Sequence, residues 1–201
     1  GFYEAVVNEE KCVSCGKCRQ VCPMQTTAFR KKLDKGMLFS YKDADGNVLK
    51  KSSSGGIAFR LSSCLLEQGY SIAGCVFDRE KQSARHVLIS PEASGELSAF
   101  QGSKYMQSDF FSLTNELCNC KTPIAIFGTP CQIAGIRNLL AGRNDVVYID
   151  LICHGVPSYL VYEKYRKLLS DRYGMNTEGM ETMFRYKPKG WRERYHSERG
   201  I

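Results

Sequence analysis

The sequence contains no run of eighteen or more apolar residues, so no segment is long enough to cross a bilayer as a helix, and no membrane span is expected. No basic stretch followed by an apolar core and a small-residue cleavage site opens the chain, so no signal peptide is legible. Internal repeats and low-complexity tracts are also missing, which excludes solenoid arrays and compositionally disordered segments. A basic stripe is lacking despite a formal net charge of +7. Its one basic concentration, Lys187, Lys189, Arg192, Arg194 and Arg199, is interleaved with Glu193 and Glu198 and reads as a solvated strand face, so no nucleic-acid partner is expected. Neither G-x-G-x-x-G nor the lysine of a P-loop is present. The ten cysteines are too sparse for a disulfide scaffold in 201 residues, which points to a reducing compartment and a cytoplasmic location. Gly1 stands where an initiator Met would, and "WRERYHSERGI" ends without a stop signal, so a fragment is expected at both ends.

What is present begins with "KCVSCGKCRQVCP". Cys12, Cys15, Cys18 and Cys22 have the spacing C-x2-C-x2-C-x3-C-P of the bacterial ferredoxin run. Three closely spaced thiolates can wrap one face of an iron–sulfur cubane, Gly16 lets the backbone approach, and Pro23 ends the loop. Zinc knots usually separate two C-x-x-C pairs, so a 4Fe-4S ligand set is the reading preferred over zinc. In two-cluster ferredoxins the fourth cysteine of such a run binds the other cluster. No second run is present, so three sources remain for the fourth ligand: Cys22 itself, a run outside this sequence, or a remote cysteine such as Cys118 or Cys120.

Hydrophobic periodicity predicts a short strand over residues 2–7 and a hairpin in "FSYKDADGNVLKK" turning at Asp45-Gly46-Asn47. In "SSSGGIAFRLSSCLLEQGY" it predicts a helix with Ile57, Leu61, Cys64, Leu65 and Gln68 on one stripe and Gly69 at its C-terminal cap. Strands are expected at "SIAGCVF" and "RHVLI", and a helical segment at "SDFFSLTNELC" with Phe110, Leu113 and Leu117 on one face. "PIAIF", "CQIAGIRNLLAG" and "VVYIDLI" form a strand–helix–strand unit, which implies a right-handed parallel crossover. A helix from about Ser158 and two antiparallel strands, "METMFRY" and "WRERYHSE", follow. The fold class is therefore mixed α/β: a ferredoxin-like iron–sulfur module over residues 1–35, then an α/β domain over 36–201 with a partly parallel sheet.

Two further motifs sit at helix starts. "SSSGG" can cradle a phosphate, because free helix amides carry partial positive charge, or it can be an ordinary serine N-cap. "GTPCQ", Gly128 to Gln132, lies at the carboxyl end of a strand, the edge at which α/β sheets collect ligands. Cys131 there could be a cluster ligand, a redox thiol or a small helix-start residue. "DLICHGVPS" puts Cys153 and His154 at the end of the next strand. Cys64 and Cys75 fall within apolar patterns and are expected in the core.

Taken together, "SSSGGIAFRLSSCLLEQGYSIAGCVFD", "QGSKYMQSD", "FGTPCQIAGIRNLL" and "YIDLICHGVPS", in this order behind the cysteine run, resemble the coenzyme F-420 hydrogenase/dehydrogenase beta-subunit family. The resemblance implies an iron–sulfur flavoprotein oxidoreductase. In it, electrons pass between 4Fe-4S clusters and FAD, and on to a deazaflavin coenzyme or another small-molecule acceptor. Ferredoxin or a redox partner subunit is the implied partner. Ser53, Ser54, Gly55 and Gly56 would face the flavin. Gly102, Ser103, Lys104 and Tyr105 would line the same pocket, with Gly128, Thr129, Pro130 and Cys131 bordering it. Cys131 and Cys153 would bind a cluster nearby. The sequence departs from the family in lacking a first ferredoxin run and in stopping soon after Trp191. Two other readings are an electron-transfer subunit without its own catalytic site and a thiol-based redox sensor using Cys131 and Cys153.

Overall fold

A computed structural model describes residues 1–25, 36–186 and 195–199. Four consecutive apolar residues, Ile124 to Phe127, build the centre of the molecule. They lie in strand β4 (Ile124–Gly128), buried along its whole length. Side chains alternate across a strand, and here Ile124 and Ile126 enter one cluster while Ala125 and Phe127 enter another. Burying such an aliphatic side chain contributes about 1.5–3 kcal/mol. A continuous apolar run is what a strand covered on both faces requires.

The helices that cover those faces follow from sequence period and capping. On one side α3 (Ile57–Glu67) delivers Leu65 and Leu66, joined by Leu97 from a 3-10 segment (Pro91–Phe100). On the other lie α4 (Thr114–Asn119) with Leu117 and α5 (Pro130–Leu139) with Ile133 and Ile136. Of the expected α3 stripe, Leu65 is buried and Leu61 packs against the same cluster, whereas Ile57, Cys64 and Gln68 are exposed and Leu66 and Ser62 are buried instead. Gly69 adopts φ +84° just beyond this helix, the left-handed conformation that ends it.

The sheet order is β3-β2-β1-β4-β5, with β1 (Ser71–Asp78), β2 (Ser83–Ile89), β3 (Ser108–Asp109) and β5 (Val146–Asp150). β1 pairs parallel with β4, and β4 parallel with β5, whereas β1 and β2 are antiparallel. The expected parallel crossover β4–α5–β5 and the partly parallel sheet are both present. Helix α6 (Tyr159–Tyr173) begins where Ser158 accepts a hydrogen bond from Val161 N and ends at Gly174, φ 63°. β6 (Glu181–Tyr186) and β7 (Tyr195–Arg199) pair antiparallel as expected. The "KPKG" link and Trp191 to Arg194 lie outside the described residues.

Three further expectations fail. The helical segment expected from Ser108 starts later: Ser108–Asp109 form β3, Phe111–Leu113 a 3-10 turn, and α4 begins at Thr114. Residues 46–51 form helix α2 (Gly46–Lys51), not a hairpin. Asp45, read as a turn residue, instead caps this helix by accepting from Asn47 N at 2.8 Å. The preceding chain is fixed by Asp43, a buried carboxylate that accepts from Arg60 Nε and Arg60 NH2, both at 2.9 Å. Residues 2–7 form no strand: Tyr3 exchanges its backbone hydrogen bonds with the side-chain amide of Gln107, 2.7 Å from Tyr3 N and 3.1 Å from Tyr3 O.

Candidate functional site

The carboxyl edge of the parallel strands gathers the residues singled out by the sequence. β4 ends at Gly128, paired with Asp150 at the end of β5. Cys131 and Cys153 each follow three residues later, so the two exposed thiols leave adjacent strand ends on the same edge. Thr129 caps α5 and forms a reciprocal capping box with Gln132, whose Oε1 accepts from Thr129 N at 3.0 Å. Pro130 supplies the preset φ of a first helical residue. The Cys131 sulfur lies 3.2 Å from Thr129 Oγ1, and the Cys153 sulfur accepts from Gly155 N at 3.3 Å. His154 is exposed beside it.

The serine–glycine segment stands at the start of α3, and its parts divide by role. Gly56 is the N-cap, φ 86°, with no side chain capping the helix amides, so the serine-cap reading is replaced by an uncapped N-terminus. Gly55 lies under the chain: a Cβ there would meet Tyr41 O at 2.1 Å, and Asp43 N donates to Gly55 O at 2.8 Å. Those two glycines are thus required by the fold itself. The serines are stitched to the second motif. Gln101 Nε2 donates to Ser52 Oγ at 3.2 Å, and Ser103 donates to Ser53 Oγ at 2.7 Å, while Ser54 is exposed. Gly102 takes φ +80° in the turn between them. Lys104 Nζ donates to Ala99 O and Gln101 O, each at 2.9 Å. Tyr105 packs edge-on against Phe184, ring centroids 5.3 Å apart.

The cysteine run forms a surface loop. Cys12, Cys15 and Cys18 are exposed and Cys22 is half-buried. Ser14 and Gly16 take positive φ, 52° and 72°, and the short helix α1 (Lys17–Val21) follows. Among the described residues, no three Cys, His, Asp or Glu side chains converge as a metal site. Four thiols within eleven positions, with left-handed residues between them, form a donor set that suits a cubane. This loop rests on α5: Asn138 Nδ2 donates to Val21 O at 3.3 Å. Seven residues separate Asn138 from Cys131, roughly 10 Å along a helix. One helix therefore links the ferredoxin-type run to the sheet edge.

Cys75 is mostly enclosed in β1, and burial raises its thiol pKa, whereas Cys64 is exposed on α3, contrary to the core assignment. Cys120 is half-buried after α4, its sulfur 3.2 Å from Thr122 Oγ1, and Cys118 is exposed. The sequence reading missed His86, Ser108, Gln107 and Asn138. It also passed over the T-x-x-Q signal of Thr129 and Gln132, which is legible as a capping box.

A mixed α/β fold with a ferredoxin-type cysteine run docked on its crossover helix is the architecture of an iron–sulfur protein. Residues 122–195 match the carboxy-terminal region of the beta subunit of coenzyme F420 hydrogenase/dehydrogenase, and residues 5–26 match the 4Fe-4S binding domain. No curated protein matches the chain. Among solved structures, the chain is similar to one from the xenon-derivatised F420-reducing NiFe hydrogenase complex of Methanosarcina barkeri. The two share 19% identity and a TM-score of 0.53 over 71% of this chain. That likeness shows the fold, and the chain spans 55% of the length of that protein. These findings bear out the resemblance to the coenzyme F420 hydrogenase/dehydrogenase beta-subunit family.

Proposed function

We propose that the chain is part of an iron–sulfur flavoprotein oxidoreductase, in which the cysteine run carries electrons to or from FAD at the carboxyl edge of the sheet. The observation that carries this reading is the Asn138–Val21 contact, which seats the ferredoxin-type loop on the helix whose first turn holds Cys131. Cys12, Cys15, Cys18 and Cys22 would hold a 4Fe-4S cluster, and Cys131 and Cys153 are candidate ligands for another.

The uncapped N-terminus of α3, with Ser53 and Ser54 before it, suits the diphosphate of FAD, since unpaired helix amides attract anions. Gly102, Ser103, Lys104 and Tyr105 are joined to this segment through the Ser53–Ser103 bond, so the two motifs act as one wall. Gly128, Thr129, Pro130 and Cys131 would border the ring. FAD, when bound, would supply the coupling of one-electron and two-electron steps. The protein would place the ring and set its environment by burial and hydrogen bonding. The proposal is completed by a deazaflavin coenzyme or another small-molecule acceptor, and by ferredoxin or another redox partner. We place the protein in the cytoplasm.

Anaerobic purification of the complete gene product, with spectra before and after dithionite, tests it. Bleaching of a broad iron–sulfur band together with flavin peaks is expected. An iron–sulfur band without flavin would favour an electron-transfer subunit whose partner does the chemistry. A colourless, zinc-containing protein would overturn the reading.

A further inference from the structure

Behind the exposed edge at Thr129 and Cys131 runs a continuous hydrogen-bond chain that reaches the buried ring of His86 in β2. His86 Nε2 lies 3.1 Å from Phe127 O, and Nδ1 lies 2.9 Å from Ser108 Oγ. Ser108 Oγ accepts from Gln132 Nε2 at 2.8 Å, and Gln132 Oε1 accepts from both the amide and the hydroxyl of Thr129, at 3.0 and 3.1 Å. Thr129 Oγ1 is the atom that touches the Cys131 sulfur.

One fixed point gives this chain a direction. A carbonyl can only accept, so His86 must carry its hydrogen on Nε2. Nδ1 is then an acceptor, and the Ser108 hydroxyl donates to it. Ser108 has no hydrogen left for Gln132, so the Gln132 NH2 must face Ser108 and its oxygen must face Thr129. The Thr129 hydroxyl hydrogen is committed to that oxygen, so Thr129 turns its lone pairs, not its hydrogen, toward the Cys131 sulfur. Reversing the His86 or Ser108 links would oppose two donors or two acceptors in a buried setting, where an unsatisfied group costs about 1–3 kcal/mol; toward Thr129 the chain is half-buried and the penalty smaller.

We propose that His86 is a positioning residue for the carboxyl edge: through Ser108 and Gln132 it fixes which way the Thr129 hydroxyl and amide are held next to Cys131. The placement of that edge beside a cofactor rests on the reading above, whereas the relay itself does not. The ring is wedged by Phe110, centroids 4.2 Å apart. The charged and titratable groups around it are Asp109 on β3, Lys104 on the preceding loop, and Cys75, its register partner on β1. None of them bonds to either ring nitrogen; Cys75 does contact the Ser108 side chain, but burial keeps it a thiol, a weaker acceptor than Nδ1.

The test needs no flavin. The full chain, labelled with 15N-histidine, is examined by long-range 1H–15N spectra, with His86→Phe used to assign the His86 signals. The Nε2–H tautomer is expected. In Gln132→Glu the new carboxylate cannot donate to Ser108, so the Ser108 hydroxyl turns toward it and Nδ1 gains a proton. The His86 titration midpoint then moves up from about 4 into the neutral range. In His86→Phe the Gln132 amide is released, and deuterium exchange at the Thr129 amide accelerates at least tenfold while β1 amides keep their protection. An Nδ1–H tautomer in the unsubstituted chain would overturn the proposal even if neither variant folds. An unmoved midpoint in Gln132→Glu would also overturn it, as would Thr129 exchange that is unchanged or that rises only in step with β1.

Discussion

The Ser103 hydroxyl donates to Ser53 Oγ across 2.7 Å, joining residues fifty positions apart in sequence. The bond ties the start of α3 to the turn at Gly102, so the two segments proposed to face the flavin cannot move independently. In a double-mutant cycle, Ser53→Ala and Ser103→Ala should show a coupling of about 1 kcal/mol, because a partly buried neutral hydrogen bond is worth that much. Urea unfolding of the two single variants and the double variant measures it. Strict additivity would mean that the contact does not exist in solution.

Iron should follow the cysteine run. After anaerobic reconstitution, Cys15→Ser should lower bound iron and sulfide severalfold, while Cys64→Ser, exposed on α3 with no partner cysteine in its motif, should leave both unchanged. A single 4Fe-4S cluster on the run corresponds to about four irons per chain. Eight irons and eight sulfides would show that the ligand set is fuller than the sequence suggests.

Acid should destabilise the fold in two windows. Burial lowers the His86 pKa from 6.5 to about 4. Between those values the unfolded chain binds a proton that the folded chain excludes, so stability is full above about pH 6.5 and falls as the pH drops toward 4. The loss amounts to about 3 kcal/mol. Thermal midpoints of His86→Phe should show a flatter slope across that window. Below it a second loss begins. Asp43 is held under the ordinary carboxylate range chiefly by its hydrogen bonds from Arg60, and its contribution disappears as it protonates. Arg60→Met should shift this lower limb to higher pH.

Gly55→Ala should be among the most disruptive small substitutions in the chain. Its Cβ would lie 2.1 Å from Tyr41 O, a backbone atom, so the crossing segment must move. Overpacking of this kind costs about 1–3 kcal/mol, occasionally more. The displaced segment carries Asp43, so circular dichroism should show a lower melting temperature, and limited proteolysis should show earlier cleavage around residues 41–51.

Where a local signal and its tertiary setting agree, the sequence was legible. The apolar run of β4, the Gly69 ending of α3, the Ser158 cap of α6 and the parallel crossover all follow from period and capping. Asp45-Gly46-Asn47 was not legible in this way. The same residues serve a hairpin turn or a helix cap, and the choice was made by Asp43 pairing with Arg60, seventeen residues away. The strand expected at 2–7 failed because Gln107, a side chain from another part of the chain, takes up the hydrogen bonds of Tyr3. The His86 relay depends on the β2–β3 register, Ala84 opposite Ser108, and no local pattern encodes that pairing. At the edge, the placement of Cys131 and Cys153 was readable from the strand–helix–strand order, but the capping box that holds Thr129 against Cys131 was passed over.

Asn138 grips the carbonyl of Val21, the residue immediately before Cys22, and Cys22 alone among the four thiols of the run is half-buried. Cys18 rides on the same short helix, which packs on α5, so two of the four sulfurs are anchored through one docked turn. A change at Asn138 would then disturb the spacing of half the donor set at once.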